Sequence, residues 1–362
     1  MKRVAAFVPN LLGTSPGQRL RIEAWAPYLE RAGWQVVFHP FESEALQRVL
    51  YRPGHVLAKA QALYECYGRQ LRRVVGRADC DVAFVFREAA LIGPAFLERE
   101  MARRGVPVVY DIDDPVFLPY RSPTNRWFSI LKWPWKTHSL FRLSSQVLAV
   151  NELIAGYARR YNRHVTVIPN CVRLDQYPTS SRPRPPGAPV RMVWIGSHST
   201  AANLSEIAEP LRQVQAETGA QLRVIGAGVV ELRGLSVETR RWSAASEVAD
   251  LQECDVGLVP TRDHPWNRWK FFFKVVQYMA AGLPVVAQRT GSNAEVIEDG
   301  RNGFLVETSR EWYDRLSRLA RDPELRQQMG TAARQTAVER FSLAEHAERV
   351  VSVFDRLIPG GS

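Results

Sequence analysis

The sequence is poor in lysine, in cysteine and in long apolar runs. Only six of its 48 basic residues are Lys: Lys2, Lys59, Lys132, Lys136, Lys270 and Lys274. In a chain that defaults to Arg, each Lys carries more information. The four cysteines, Cys66, Cys80, Cys171 and Cys254, are scattered with no CxxC pair. That argues against a zinc site and a disulfide framework, and it favours a reducing cytoplasm. No stretch of about 18 apolar residues occurs, so no bilayer-spanning helix is expected. The opening MKRVAAFVPNLLG is too short in its apolar part, and too soon broken by Pro9 and Asn10, to read as a leader; it reads as a first strand. There is no GxGxxG fingerprint and no repeat at solenoid periods.

What is present is a 362-residue chain with 46% hydrophobic and 23% charged residues. That suits two domains of roughly 150–200 residues and excludes global disorder. The net charge is +11 and unevenly placed: residues 1–178 hold 25 basic and 15 acidic residues, so nearly all the excess lies in the first half. Nucleic acid, a membrane surface and an anionic substrate are the partner classes this admits, and no nucleic-acid module is visible.

Strand-like runs alternate with helical stretches. RVAAFV, WQVVFH, DVAFVF, VPVVYD, VLAV and VTVIP come first; VRMVWIG, QLRVIG, DVGLVP and LPVVA follow a stretch with five prolines, PTSSRPRPPGAP at 178–189. The fold expected is α/β, with two doubly wound Rossmann-like domains facing a cleft. The domains expected are 1–177, a hinge at 178–189, and 190–342, with a C-terminal helix at about 343–358 packing back on the first. Ligands of such sheets sit at the carboxyl ends of the strands.

The first βα loop, VPNLLGTSPGQRLRIEAW, brackets a turn with Gly13 and Gly17 ahead of a helix. Glycines let a backbone approach a ligand, and Arg19 and Arg21 are placed to hold an anionic group or to be solvated helix charges. The fourth strand ends in YDIDD, residues 110–114. A D-x-D metal clamp is one reading; an acid that positions or deprotonates a hydroxyl, Asp111 or Asp113, is preferred. RWFSILKWPWKTHSLFR at 126–142 interleaves Trp, Phe and cations, as a membrane-interface segment or a buried aromatic cluster would. WIGSHSTAANL offers Gly196, Ser199 and Thr200 as a phosphate cradle, or as a plain helix cap. In PTRDHPWNRWKFFFKVVQYMAAGLPVVA the spacing predicts a helix over 270–281. Lys270, Lys274 and Gln277 would form a polar stripe opposite Phe272, Val275, Val276 and Met279. Two cations and an amide suit a diphosphate and a ribose.

WIGSHSTAANL, ECDVGLVP, KFFFKVVQYMAAGLPVVA, TGSNAEVIEDGRNGFLVET and the tail LRQQMGTAARQTAVERFS resemble the retaining glycosyltransferases of family 4, which have the GT-B fold. The N-terminal SPGQRLRIEAWAPYLERAGWQV and VVYDIDDPVF resemble that group as well. The resemblance implies a nucleotide-sugar donor, UDP- or GDP-linked, on the C-terminal domain. It implies a hydroxyl acceptor, lipid-linked in one reading, on the N-terminal domain. It requires no metal or cofactor and keeps the anomeric configuration. Many members carry two glutamates eight positions apart; here those positions are Trp269 and Gln277. Gln277 can still meet the ribose as an amide, and Asp263, His264 or Asn267 can replace the missing first acid. The usual Arg and Lys of the first C-terminal-domain loop are absent, which leaves the charge to Lys270 and Lys274, with Lys274 the catalytic choice. Asp113 falls where many relatives carry a His, and Arg241 and Trp242 fall near the nucleobase position. A nucleotide-sugar 2-epimerase and a non-catalytic sugar-binding protein are the alternatives. The location expected is cytoplasmic, with an anionic membrane face as a possible peripheral contact.

Overall fold

A computed structural model describes residues 2–50, 52–76, 80–119, 133–178 and 187–358. Most of the proline-rich 178–189 and the first part of 126–142 lie outside the described residues. The chain divides into two compact units, Met1–Asn170 with Ala344–Ser362, and Cys171–Leu343. The first unit therefore gives up the stretch after Asn170, which the sequence had assigned to it as far as 177.

Twelve strands form among the described residues. In the N-terminal unit they are β1 Lys2–Val8, β2 Trp34–Pro40, β3 Val82–Phe86, β4 Val108–Ile112, β5 Gln146–Ala149 and β6 Val165–Val167. In the other unit they are β7 Arg191–Ile195, β8 Gln221–Ile225, β9 Val237–Arg240, β10 Val256–Val259, β11 Val285–Gln288 and β12 Gly303–Val306. Every strand pairing is parallel. β3, β4 and β10 are buried along their whole length, as in VAFVF of β3, because helices cover both faces of a parallel sheet. The orders are β2-β1-β3-β4-β5-β6 and β12-β11-β10-β7-β8-β9. Each order reverses once, between β1 and β3 and between β7 and β10. A crevice opens at such a reversal beyond the carboxyl ends of the strands. The loops after β1, β3, β7 and β10 are thus where a ligand belongs.

Packing fixes those loops. The helix Ile22–Arg31 buries Ile22, Trp25, Ala26 and Leu29, and Gly33 follows it at φ 84°, a left-handed position that glycine takes without strain. Residues after 343 return to the first unit. Asp355 accepts from Lys2 Nζ at 2.8 Å and from Trp34 Nε1 at 3.0 Å, and Phe354 stacks on Phe84. In the second unit Tyr278, on the helix Phe273–Ala280, lies across β10. A Cβ at Gly257 would meet its ring at 2.3 Å, and the Tyr278 hydroxyl accepts from Ile195 N–H at 2.9 Å. Gly257 therefore lets that helix settle over the β7/β10 reversal.

Candidate functional site

In the N-terminal unit the loop after β1 is closed on itself. Gln18, fully buried, donates to Glu23 at 2.7 Å and to the Asn10 carbonyl at 3.2 Å. The Glu23 carboxylate accepts from Gly13 N–H at 3.2 and 3.0 Å. The Gly13 amide expected to meet an anionic ligand is thus already bonded to a carboxylate of its own chain. Arg21 and Asp111, expected to touch the acceptor, are also corrected by the structure. Both side chains are fully buried, and Arg21 Nε donates to both Asp111 oxygens at 3.2 and 3.1 Å. Arg21 Nη1 donates to the Ile168 carbonyl, and the guanidinium lies 4.5 Å from the Trp25 ring centre. Burial pushes the Asp111 carboxyl up while Arg21 pulls it down. A buried charge needs a partner, and these two are each other's. The pair joins the β1 loop to β4 and β6 from inside the fold.

The neighbouring pair is less completely enclosed on its arginine side. Asp113, expected as the catalytic acid or base, is 6% exposed, and both its oxygens accept from Arg87, Oδ1 at 2.5 Å and Oδ2 at 2.7 Å. Arg87 also donates to Asp114 at 2.5 Å. Arg87 follows β3 directly, at φ 56°, a conformation that costs free energy and that the two carboxylates hold in place. Its side chain keeps 23% exposure, and its Nη1 donors bond no described residue. Gly17 abuts this fork: a Cβ there would stand 2.4 Å from Asp113 Oδ2 and 2.9 Å from Arg87 Nη2. Gly17 is needed for a close approach of backbone to side chain rather than to a ligand. Arg19 is exposed beside it.

In the C-terminal unit Lys274 sits 4.2 Å from the ring centre of Trp194, in a cation–π contact. Burial and then the charge of Lys270 push its ammonium down to about 7. A Cβ on Gly196 would strike the same Trp194 ring at 2.6 Å, so glycine keeps the loop after β7 against it. In that loop Ser197 and Ser199 share a hydrogen bond of 2.9 Å, and Thr200 Oγ1 donates to the Ser197 carbonyl at 3.0 Å. Ser199 is exposed; Thr200 is half-buried, and its hydroxyl bonds back to the preceding turn.

The helical stripe needs correction. The helix begins at Phe273, and Lys270 precedes it in extended backbone, because its carbonyl accepts from Ser292 N–H and from Ser292 Oγ, each at 3.2 Å. Lys270 still reaches Lys274 electrostatically. Gln277 is 8% exposed and donates to Glu247 Oε1 at 2.7 Å. Glu247 also accepts from Trp242 Nε1 at 2.5 Å. Trp242 lies against Gly226, where a Cβ would come within 3.2 Å of it, and Arg241 is exposed. Asp263 is exposed and paired with Arg268 at 3.0 and 2.8 Å, which holds its carboxyl below the usual range. His264 Nδ1 accepts from Trp266 N–H, and Asn267 donates to the Arg262 carbonyl.

Arg87, Trp194 and Glu247 escaped sequence reasoning. Arg87 ends the run DVAFVFR, and a strand-end position was the available signal. Glu247 stands 30 residues before Gln277, and no spacing rule links them. Among the described residues no three His, Cys, Asp or Glu side chains are grouped to hold a metal ion. No helix among them is long and apolar enough to cross a membrane.

Two six-stranded parallel sheets, each with one reversal and a polar cluster beside it, define a protein of two Rossmann-like units. Family models agree along the chain: residues 17–176 match Glycosyltransferase Family 4 and residues 189–322 match Glycosyl transferases group 1. The chain belongs to the family 4, group 1 glycosyltransferases. It is similar to spore coat protein SA of Bacillus subtilis, 33% identical over 25% of each chain. It is also similar to D-inositol 3-phosphate glycosyltransferase of Corynebacterium diphtheriae, 36% identical over 30% of this chain and 24% of that one. The chain spans about a quarter of the length of these curated relatives. The crystal structure of Anabaena HepE in complex with UDP covers 98% of this chain and 100% of its own, at 17% identity and a TM-score of 0.69. That likeness shares the GT-B fold.

Proposed function

We propose that the protein is a retaining glycosyltransferase that moves a sugar from a nucleoside diphosphate sugar to a hydroxyl acceptor. The observation that carries this reading is the Lys274 ammonium, held over Trp194 beside the Gly196 loop at the β7/β10 reversal. Cleaving a sugar–phosphate bond builds negative charge on the departing diphosphate, and a fixed cation in a partly dry site stabilises it. Lys274 is the compact point charge for that task, with Lys270 beside it and the Ser199 and Thr200 hydroxyls as smaller donors. Gln277 and its neighbours suit a nucleoside, and UDP is the expected nucleotide because the similar HepE structure contains it.

In the N-terminal unit Arg87 replaces Arg21 and Asp111 as the acceptor contact. Asp113 and Asp114 orient its fork and leave the Nη1 donors for an acceptor oxygen. Asp113 is then a positioning residue. The departing phosphate takes the acceptor proton on the face where the new bond forms. Asp111 and Asp113 face separate arginines, so they do not act as a D-x-D clamp, and the reaction needs no divalent metal. The acceptor we favour is lipid-linked and met at an anionic membrane face. Trp133 and Trp135 support it, being 45% and 63% exposed in edge-to-face contact.

The test is calorimetric titration with UDP, GDP and ADP, followed by incubation with the matching nucleotide-sugars. A transferase releases nucleotide slowly without acceptor; an epimerase releases it only with epimer formation; a sugar-binding protein releases none. Absence of binding to all three diphosphates refutes the donor reading.

A further inference from the structure

Gln277 has little left to offer a ligand. It is 8% exposed, and its amide nitrogen donates to Glu247 Oε1. Glu247 differs. It opens the short helix Glu247–Gln252, is only half-buried, and accepts one bond on each oxygen, from Gln277 and from Trp242 Nε1. Each carboxylate oxygen can accept about two hydrogen bonds, so both retain capacity, and the two present donors fix their direction. Along the helix Phe273–Ala280, Gln277 lies three residues beyond Lys274, about 4.5 Å of axial rise. The Glu247 carboxylate is thus tied to a residue about one helical turn along the backbone from Lys274, whose ammonium we assign to the diphosphate. Trp242, 37% exposed, borders it beside the Gly226 loop after β8.

We propose that Glu247, oriented by Gln277 and Trp242, is the group that takes the ribose 2′- and 3′-hydroxyls of the bound nucleotide. This rests on the donor reading above. A vicinal diol donates two hydrogen bonds, a carboxylate accepts two side by side, and charge assistance makes such bonds about twice as strong as neutral ones. Gln277 then fixes the carboxylate and does not itself bind the diol, although it occupies the position at which an acid would be expected from the resemblance.

The experiment compares a nucleoside diphosphate with its 2′,3′-dideoxy analogue on the wild type and on Glu247→Gln. The diphosphate used is whichever of UDP, GDP and ADP binds most tightly. On the wild type, loss of both hydroxyls should weaken binding about tenfold or more. Glu247→Gln should weaken the parent diphosphate by a similar factor and leave the dideoxy analogue within twofold. Glu247→Asp, which keeps the charge on a shorter arm, should fall between. Equal weakening of both ligands by Glu247→Gln would make the residue merely structural and overturn the proposal. So would a wild type that binds both ligands alike, a result independent of whether any variant folds. If no diphosphate binds the wild type, the donor reading itself fails; if one binds with no regard to the hydroxyls, only this inference does.

Discussion

Lys274 is where local electrostatics and function meet. Its ammonium is depressed to about 7 by burial and by Lys270. A diphosphate favours the charged form, so binding above that pH must take up a proton. Nucleotide affinity should therefore change little with Lys274 titration below pH 7 and fall by up to about tenfold per pH unit above it. Lys274→Ala should weaken UDP about tenfold at pH 7 and remove this part of the slope, as titration calorimetry between pH 6 and 9 would reveal. The same depression bears on folding. Between about 7 and the ordinary value of 10.5 the unfolded chain holds a proton that the folded one has released. This group's contribution to stability accordingly rises with pH across that window. Gly17 tests the other unit at the same scale. Gly17→Ala puts a methyl 2.4 Å from a carboxylate oxygen already pinned by Arg87. Overpacking of this kind costs about 1–3 kcal/mol, so thermal unfolding should shift down while UDP affinity stays unchanged. A loss of UDP binding in this variant would contradict the assignment of the nucleotide to the C-terminal unit.

At the scale of elements, Tyr278 holds the helix Phe273–Ala280 to two strands at once. Its hydroxyl accepts from Ile195 N–H on β7 and donates to the Leu258 carbonyl on β10 at 3.3 Å. Tyr278→Phe leaves that buried N–H without a partner, at about 1–3 kcal/mol. The melting temperature should drop by several degrees, and nucleotide binding should weaken with it because Lys274 rides on the same helix. An unchanged melting curve would mean that the hydroxyl is dispensable. The elements themselves were legible because parallel strands need unbroken apolar runs, as in VAFVF and the MVWI of β7, and because Gly33 and Gly282 mark helix ends through their positive φ. The start of the Phe273–Ala280 helix was not. Periodicity extends it back to Lys270, but Ser292 captures the Lys270 carbonyl from a loop 22 residues on, and the backbone there is extended. The same limit hid most of the site. Asp113 and Lys274 could be picked from strand-end and stripe arguments, whereas Arg87 and Glu247 gain meaning from partners 26 and 30 residues away. Arg21 and Asp111 misled because a charged residue near a strand end reads alike whether it faces a ligand or a buried counter-ion.

At the scale of the whole molecule, the positive excess and the aromatic segment bear on the anionic membrane face proposed above, and the structure changes which residues would meet it. Lys136, which the composition placed among surface cations, is buried: its ammonium pairs with Glu88 at 2.5 Å and donates to the Ala90 carbonyl at 2.6 Å. Trp133 and Trp135 are the exposed members. Lys132 and Trp127 lie outside the described residues. Indole rings favour the headgroup region, and each basic residue near an anionic surface adds about 1 kcal/mol, less at high salt. Co-sedimentation with vesicles containing anionic lipid should therefore capture the protein at low salt and release it at high salt, with neutral vesicles capturing little. Trp133→Ser with Trp135→Ser should reduce capture without altering UDP affinity, since both residues belong to the N-terminal unit. Lys136→Glu, by contrast, would set a carboxylate against Glu88 and Glu98 and should unfold the segment rather than report on lipid. Absence of capture on anionic vesicles at low salt would leave a water-borne acceptor as the reading. Capture untouched by the double Trp substitution would move the contact to another part of the basic half.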